Sequence, residues 1–184
     1  LLHNGRIILI SDTLVHEWPE AEDLANIAER AAGVARDLGI EPRVAFVSFS
    51  TFGYPISERA EKMKLAPEVL DRRGVNFEYE GEMAPDAALN PKVMSLYPFS
   101  RLSGPANVLI MPGLQSANLS AKLLRELGGE TTVGPMMRCS VCSTASSALI
   151  TSTPGISAAF FLLASISGSM LPPRGCADFP CAAG

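Results

Sequence analysis

Residues 43–53, RVAFVSFSTFG, contain the pattern that decides the fold. The uninterrupted apolar run at 44–47 predicts a strand buried on both faces, which is typical of a parallel sheet covered by helices. The polar run at 48–53 predicts the loop in which that strand ends. The segment therefore indicates an α/β protein with a hydroxyl-rich loop at one edge of its sheet.

Strands and helices alternate on both sides of this segment. Further strands are predicted at residues 6–13, 75–79, 106–111 and 131–133, and helices at 20–39, 57–74, 85–96 and 114–127. Pro67 is expected to split the second helix, because proline lacks the amide that a helix interior needs. This order predicts a three-layer α/β fold, in which a mostly parallel sheet carries helices on both faces.

The C-terminal part of the chain has a different composition. No charged residue lies between Cys139 and Arg174, and all four cysteines fall at or after position 139. We therefore expect residues 1–138 to form one partial α/β domain. Residues 139–184 are expected to be an aberrant, poorly ordered tail, which a shift of reading frame would explain. The missing initial Met favours a chain that begins inside a longer protein.

Charge, hydropathy and cysteine spacing exclude several classes of function. A net charge of −4 offers no basic surface to nucleic acid. The apolar run at 156–171 is shorter than the roughly 20 residues of a membrane helix, so no membrane partner is expected. The CxxC at Cys139 has no second pair at zinc-site spacing, so no metal site is predicted. The absence of a secretion signal, and of cysteine before position 139, favours a cytoplasmic protein.

Three segments are predicted to leave strand ends at the carboxyl edge of the sheet, where ligands bind in open α/β folds. They are residues 12–13, 48–53 and 112–118. In the second of them, hydroxyls and backbone N–H groups suit a phosphate or another small anion, and Gly53 lets the backbone turn closely around it. The alternative is a loop whose hydroxyls bond their own backbone.

Other polar residues near these loops each admit two interpretations. Asp86 either caps a helix or points into a cleft. Asn118 either holds a ligand carbonyl or caps the following helix, and Asp12 either faces the cleft or caps a turn. The sequence contains no Walker or GxGxxG fingerprint and no GxSxG elbow, so no catalytic residue is assigned.

Taken together, these motifs resemble the phosphate acetyltransferase/phosphate butyryltransferase family over most of residues 6–136. The resemblance is carried by Ser11-Asp12-Thr13, 20–39, 44–53, 81–83 with 86–89, Pro98-x-Ser100, 106–108 with Pro112, 116–118, and the glycines from Gly128 to Gly134-Pro135. Within the family, the chain is most similar to the C-terminal domain of bacterial NADP-dependent malic enzymes. Phe52 stands where the acetyltransferases carry a lysine, and residues 97–104 follow the malic-enzyme branch.

The resemblance implies an isocitrate-dehydrogenase-like α/β fold, of which this chain holds one half, with CoA and acyl phosphate in the cleft between two domains. In the malic-enzyme branch the domain is regulatory and senses acetyl-CoA. NADP and a divalent metal belong to the absent N-terminal portion, which decarboxylates malate oxidatively to pyruvate, and the parent is expected to be a homo-oligomer. The residues expected to contact acetyl-CoA or phosphate are Ser48, Ser50, Thr51, Gly53 and Asn118, with Asp86 nearby.

Two alternative functions stay open. The first is a fragment of a true phosphate acetyl- or butyryltransferase, which moves an acyl group between phosphate and CoA by positioning and charge stabilisation. The family's Lys-Pro-Val and Ser-Arg-Gly segments do not follow Gly134-Pro135 here, so we do not expect transfer by this fragment. The second is a non-catalytic oligomerisation domain, because truncation would expose an apolar face.

Overall fold

The computed structural model describes residues 5–127, apart from the side chain of Arg59, and the backbone of four short strands outside that range. Strand β1 (Leu2–His3) pairs antiparallel with β2 (Arg6–Ile7). Strands β7 (Met136–Met137), β8 (Ala148–Ile150) and β9 (Phe160–Phe161) form a separate antiparallel sheet in that order. The predicted boundary at residue 138 lies outside the described residues.

The central sheet has four parallel strands. They are β3 (Leu9–Ser11), β4 (Arg43–Val47), β5 (Glu78–Met83) and β6 (Val108–Ile110), in the order β3-β6-β4-β5. The residues predicted to be buried on both faces, 44–47, are all buried in β4. Because all four strands run in one direction, their carboxyl ends lie along one edge.

Helices cover both faces of this sheet. On one face, α1 (Ala21–Asp37) and α2 (Glu58–Arg73) pack against Val44 and Phe46. On the other, α3 (Pro85–Leu89), α4 (Pro91–Met94) and α5 (Leu114–Leu127) pack against Ala45 and Val47. This alternation along β4 confirms the predicted three-layer α/β architecture.

The predicted break of the second helix at Pro67 is wrong, because α2 continues through it to Arg73. Proline in a helix interior costs about 3 kcal/mol. The packing around it offsets that cost, since Met63, Ala66, Pro67 and Leu70 are all buried on the face toward the core. Tertiary contacts therefore override the local preference.

Several other predicted boundaries also differ from the structure. The strand predicted at 6–13 is divided into β2 and β3, and the one at 106–111 is confined to 108–110. The strand predicted at 75–79 instead spans 78–83, because two of its three buried residues are Glu80 and Glu82, which apolar periodicity does not reveal. The helix predicted at 85–96 is split at Asn90, which precedes Pro91 and caps α4. The strand predicted at 131–133 lies outside the described residues.

Candidate functional site

The three predicted loops lie at the carboxyl edge of the central sheet. Residues 12–13 follow β3, residues 48–53 follow β4, and residues 112–113 connect β6 to α5. Helix α1 follows β3 and α2 follows β4 on one face, whereas α5 follows β6 on the opposite face. Crevices for ligands form where neighbouring connections leave a sheet on opposite sides, so this edge is the candidate site.

A β-bulge in β5 shapes the edge beside β4. Phe46 pairs with Gly81 and Val47 pairs with Met83, so Glu82 is an extra residue in β5. Gly81 has a φ of +152°, and a Cβ there would lie 2.7 Å from the Cβ of Phe46. Only glycine permits this close approach of the two strands. A bulge re-aims the side chain it inserts, and that of Glu82 contacts the loop after β4.

We call this loop, residues 48–54, the β4 loop. Oε1 of Glu82 accepts hydrogen bonds from the hydroxyl of Ser50 and from the N–H of Gly53, the latter at 2.7 Å. The backbone oxygen of Glu82 accepts the N–H of Phe52 at 2.9 Å. We call these three bonds the Glu82 clamp. Glu82 is 1% exposed and Ser50 is 0% exposed. The clamp therefore occupies the donor groups of Ser50 and Gly53, both of which were predicted to bind a ligand.

The tip of the β4 loop is a tight two-residue turn. Thr51 and Tyr54 exchange backbone hydrogen bonds of 2.9 and 3.3 Å. The residues between them have positive φ angles, 49° at Phe52 and 91° at Gly53, as in the turns that close β-hairpins. A bulky side chain in the left-handed region costs about 1–3 kcal/mol. The Glu82 clamp bonds both residues of this strained turn.

An aromatic cluster holds the same turn from the other side. The ring centroid of Phe52 lies 5.2 Å from that of Tyr97 and 4.8 Å from that of Phe99. Tilted and edge-to-face pairs at such distances are favourable. The two segments that depart from the acetyltransferase pattern, Phe52 and residues 97–104, therefore contact each other. The aromatic ring stabilises the turn at the position where a lysine was expected in an acetyltransferase.

Two hydroxyl groups of the β4 loop keep a proton to donate. The Ser48 oxygen accepts the N–H of Ser50 at 3.3 Å, and the Thr51 oxygen accepts the N–H of Ala84 at 3.0 Å. A hydroxyl that accepts one bond still has its own O–H, and neither proton has an acceptor within residues 5–127. Ser48 is buried and Thr51 is half-buried, so Thr51 is the more accessible donor.

Neither Asp86 nor Asn118 caps a helix. Helix α3 is capped at Ala84, so the predicted N-cap role of Asp86 is wrong. Asp86 is exposed in the first turn of α3, where its carboxylate accepts the N–H of Ala87. Asn118 lies inside α5 rather than at its start, and its amide donates to the backbone oxygen of Thr13 at 3.3 Å. Asn118 thereby connects α5 to the loop after β3.

Asp12 caps the turn after β3. Its carboxylate accepts the N–H groups of Leu14, Val15 and His16 and contacts the His16 ring at 2.8 Å. Partial burial acts to raise the pKa of Asp12, but these hydrogen bonds outweigh it and hold the pKa below its ordinary value. Of the two roles predicted for Asp12, the structure supports the turn cap.

An open cleft lies beside this turn, at the ends of β3 and β6. Its volume is about 310 Å³, and it is lined by Trp18, Pro19, Leu24, Glu58, Lys62, Met63 and Pro112. We call it the Trp18 cleft. Its cation, Lys62, is paired with Glu20 at 2.6 Å. Its walls come from the starts of two helices far apart in sequence, so no local motif indicated it.

Sequence reasoning also assigned no role to Glu82. Two signals in residues 78–83, EYEGEM, were available: a glycine within a strand, which often marks a bulge, and acidic residues where apolar ones are usual.

For other ligands the described residues offer little. Residues 5–127 contain no cluster of three metal-ligating side chains, and none of their helices is long and apolar enough to span a membrane.

Fold and site together define a class: a parallel, three-layer α/β domain whose candidate small-ligand site lies at the carboxyl edge of its sheet. Residues 1–148 match the family described as phosphate acetyl/butaryl transferase, and the chain belongs to that family. The resemblance stated from sequence motifs is thereby confirmed.

Individual relatives divide between two kinds of enzyme. The chain is 57% identical over 136 residues to an NADP-dependent malic enzyme of Rhizobium meliloti, a match that covers 74% of this chain and 18% of the relative. It is 41% identical over 135 residues to a phosphate acetyltransferase of Thermoanaerobacterium thermosaccharolyticum, covering 72% of this chain and 41% of the relative. The chain thus spans less than half the length of either relative.

A solved structure supports the fold independently. The EutD phosphotransacetylase from Staphylococcus aureus matches with a TM-score of 0.63 and 34% sequence identity. The match covers 68% of this chain and 40% of that protein. The predicted kinship with one part of a phosphotransacetylase fold is confirmed. The part matched in malic enzymes is their phosphotransacetylase-like C-terminal region.

Proposed function

We propose that this chain is a fragment of the phosphotransacetylase-like regulatory region of an NADP-dependent malic enzyme, and that it binds acetyl-CoA or a phosphate group without transferring an acyl group. The 57% identity to the malic enzyme of Rhizobium meliloti supports the parent. The names of the phosphate acetyltransferase relatives support the ligand class.

The observation that carries this proposal is the chemistry of the β4 loop. Thr51 and Ser48 supply hydroxyl donors, whereas residues 48–58 contain no Lys or Arg. Phe52 packs into the aromatic cluster, so position 52 presents no positive charge to a ligand. Transfer of an acyl group from phosphate develops negative charge that a cation or several aimed donors must stabilise. The loop is therefore suited to weak binding rather than to transfer.

The ligand contacts follow from this arrangement. Thr51 donates its hydroxyl proton, with Ser48 behind it, while Ser50 and Gly53 hold the shape of the loop. Asp86 lies on the helix whose cap, Ala84, bonds Thr51. Asn118 bonds the backbone of Thr13, in the loop after β3 at the same edge of the sheet.

The remaining properties belong to the proposed parent enzyme. Oxidative decarboxylation of malate, with NADP and a divalent metal, would take place in portions of the parent outside this chain. The homo-oligomeric state and the cytoplasmic location are proposed on the same kinship. The division of the chain at residue 139 likewise stays a prediction.

Calorimetric titration and a coupled thiol assay test this function. Acetyl-CoA and inorganic phosphate are titrated into the chain, and consumption of the CoA thiol in the presence of acetyl phosphate is followed. We expect saturable binding of acetyl-CoA, a rise in melting temperature with its concentration, and no turnover above background. Turnover above background would favour the acyltransferase alternative, and no binding of either ligand would refute the proposal.

A specific feature of α5 favours assembly as a second candidate function. Leu119, Leu123 and Leu127 recur at helical spacing, and all three are more than half exposed. A second copy of the chain is the occupant that we propose for this stripe. Light scattering should show a dimer that Leu123→Lys converts to monomer, whereas Lys122→Ala on the same helix should leave it intact. A monomeric wild-type chain would refute this function.

A further inference from the structure

Glu82 differs from the other buried glutamate of β5 in what it contacts. Glu80 bonds the N–H groups of Gly81 and Arg101 and pairs with the Arg101 side chain at 3.6 Å. None of its bonds reaches the β4 loop. Glu82, two residues further on, directs its carboxyl oxygen only to Ser50 and Gly53 of that loop. Glu80 therefore stabilises β5 and the segment at Arg101, whereas Glu82 acts on the β4 loop.

The turn that Glu82 holds would not keep its shape unaided. Phe52 lies in the left-handed region, which a bulky residue avoids. Such strained residues persist where the surroundings determine their conformation, and they concentrate at binding sites. Here the Glu82 clamp bonds the amides of both turn residues, and its third bond fixes Ser50 immediately before Thr51.

We propose that Glu82 is the positioning residue of the β4 loop: its carboxyl group keeps the turn in the conformation that presents the hydroxyl of Thr51 to a ligand. This inference rests on the proposed function for the identity of the ligand. The role of Glu82 in the clamp rests only on the bonds within the chain. A ligand cannot use the Ser50 hydroxyl directly, because Glu82 occupies it in a site that is closed to solvent.

The test compares three substitutions in the full 184-residue chain. Glu82→Leu removes the acceptor and keeps the volume. Glu82→Gln keeps an acceptor oxygen and is the conservative rescue. Glu80→Leu is the matched control, because it removes a buried carboxyl group from the same strand without touching the β4 loop.

Hydrogen exchange at the Gly53 amide reports the clamp without any ligand. We expect exchange to be slow in the wild type and in Glu82→Gln, faster by about tenfold or more in Glu82→Leu, and unchanged by Glu80→Leu. If Glu82→Leu fails to fold, Ser50→Ala takes its place, since it removes one bond of the clamp and should also speed exchange at Gly53. Unchanged Gly53 exchange in folded Glu82→Leu or, failing that, in Ser50→Ala would overturn the proposal, as would equal effects of the Glu80 and Glu82 substitutions.

Affinity for acetyl-CoA reports the consequence for the site. We expect the dissociation constant to rise about tenfold in Glu82→Leu and to be largely restored in Glu82→Gln, with little change in Glu80→Leu. Tighter binding by Glu82→Leu would instead mean that the carboxyl group blocks the site, and would also overturn the proposal. If the wild type binds no acetyl-CoA, the proposed function fails, while the exchange measurement still decides the role of Glu82.

Discussion

At the ends of β4 and β5 the polar groups of the two strands bond one another, whereas beside the ends of β3 and β6 an open cleft lies among mostly apolar side chains. The first edge is closed by the Glu82 clamp and by the bond between Ala84 and Thr51. The second edge leaves a space of about 310 Å³ between the starts of α1 and α2. The two edges share one sheet and one strand direction, so the difference comes from the bulge, the loops and the side chains that follow the strands.

This difference teaches that polar residues at a strand end are not equivalent to an open binding site. Ser50 and Gly53 have the residue types of an anion site, yet a buried carboxyl group already satisfies both. The Trp18 cleft has mixed residue types and no motif, yet it is open. Substitution at the Gly81 bulge of the closed edge should therefore affect stability strongly, and substitution of the side chains that line the Trp18 cleft should affect it weakly.

The largest effect is expected for Gly81→Ala at the closed edge. The new Cβ would lie 2.7 Å from the Cβ and 2.9 Å from the backbone oxygen of Phe46, at a φ of +152° that alanine avoids. Strain and overpacking together should lower the free energy of unfolding by about 3 kcal/mol. Urea denaturation followed by circular dichroism measures this change.

Gly104→Ala provides the control for this substitution. Its added Cβ would meet only the Arg43 side chain, at 3.8 Å, which is an ordinary contact. We expect a change below about 0.5 kcal/mol. If Gly81→Ala were as mild as Gly104→Ala, the close approach of β4 and β5 would not be needed for the fold.

The bulge at Gly81 also shows where sequence reasoning about the fold succeeded and where it stopped. The buried run at 44–47 and the alternation of elements gave the three layers and the helices on both faces, because those depend on periodic burial. The bounds of β5 were missed because two of its three buried residues are glutamates that bond other segments. The continuity of α2 through Pro67 was missed because it depends on tertiary packing.

A smaller effect is expected for Asp12→Asn, at the turn beside the open cleft. Asp12 accepts three backbone N–H groups, and an amide can replace only part of that acceptor capacity. The free energy of unfolding at neutral pH should fall by about 1–2 kcal/mol. Thermal and urea unfolding at pH 7 measure it.

The pH dependence gives the same substitution an independent control. The folded pKa of Asp12 lies below its ordinary value of 3.8, so its contribution is present above that value and is lost as pH falls through the lower folded pKa. The wild type should therefore lose stability more steeply than Asp12→Asn as the pH is lowered below about 4. Parallel profiles for the two proteins would contradict this role for Asp12.

At the tip of the β4 loop, Thr51→Val should have a moderate effect. Valine keeps the shape but removes the oxygen that accepts the Ala84 N–H at 3.0 Å, so an amide at the closed edge loses its partner. The expected loss is about 1 kcal/mol. Thr51→Ser keeps the acceptor and should retain most of the stability, whereas an equal loss in both variants would point to the methyl group instead.

The site residues were predictable from sequence only as a location. Residue types placed Ser48, Ser50 and Thr51 at the carboxyl edge, as the structure has them. Whether Ser50 or Thr51 keeps a hydroxyl proton for a ligand depends on partners 32 and 33 positions away in the chain. Single-sequence patterns do not report such pairings, so the separation of Thr51 from Ser50 required the structure.

The smallest effect is expected for Lys62→Met in the Trp18 cleft. This substitution tests whether an ion pair contributes to closing that edge. Lys62 pairs with Glu20 at 2.6 Å, but both side chains are more than a third exposed, and such surface pairs contribute about 0–1 kcal/mol. Methionine keeps the apolar stem that lines the cleft, so only the pair is lost. We expect a loss below about 0.5 kcal/mol in urea denaturation that disappears in 1 M salt, about the concentration at which exposed charges are fully screened. A double-mutant cycle with Glu20→Gln isolates the pair from the other contacts of Glu20. A coupling well above 1 kcal/mol would show that this edge, too, is closed by its own charges, and the contrast between the two edges would fail.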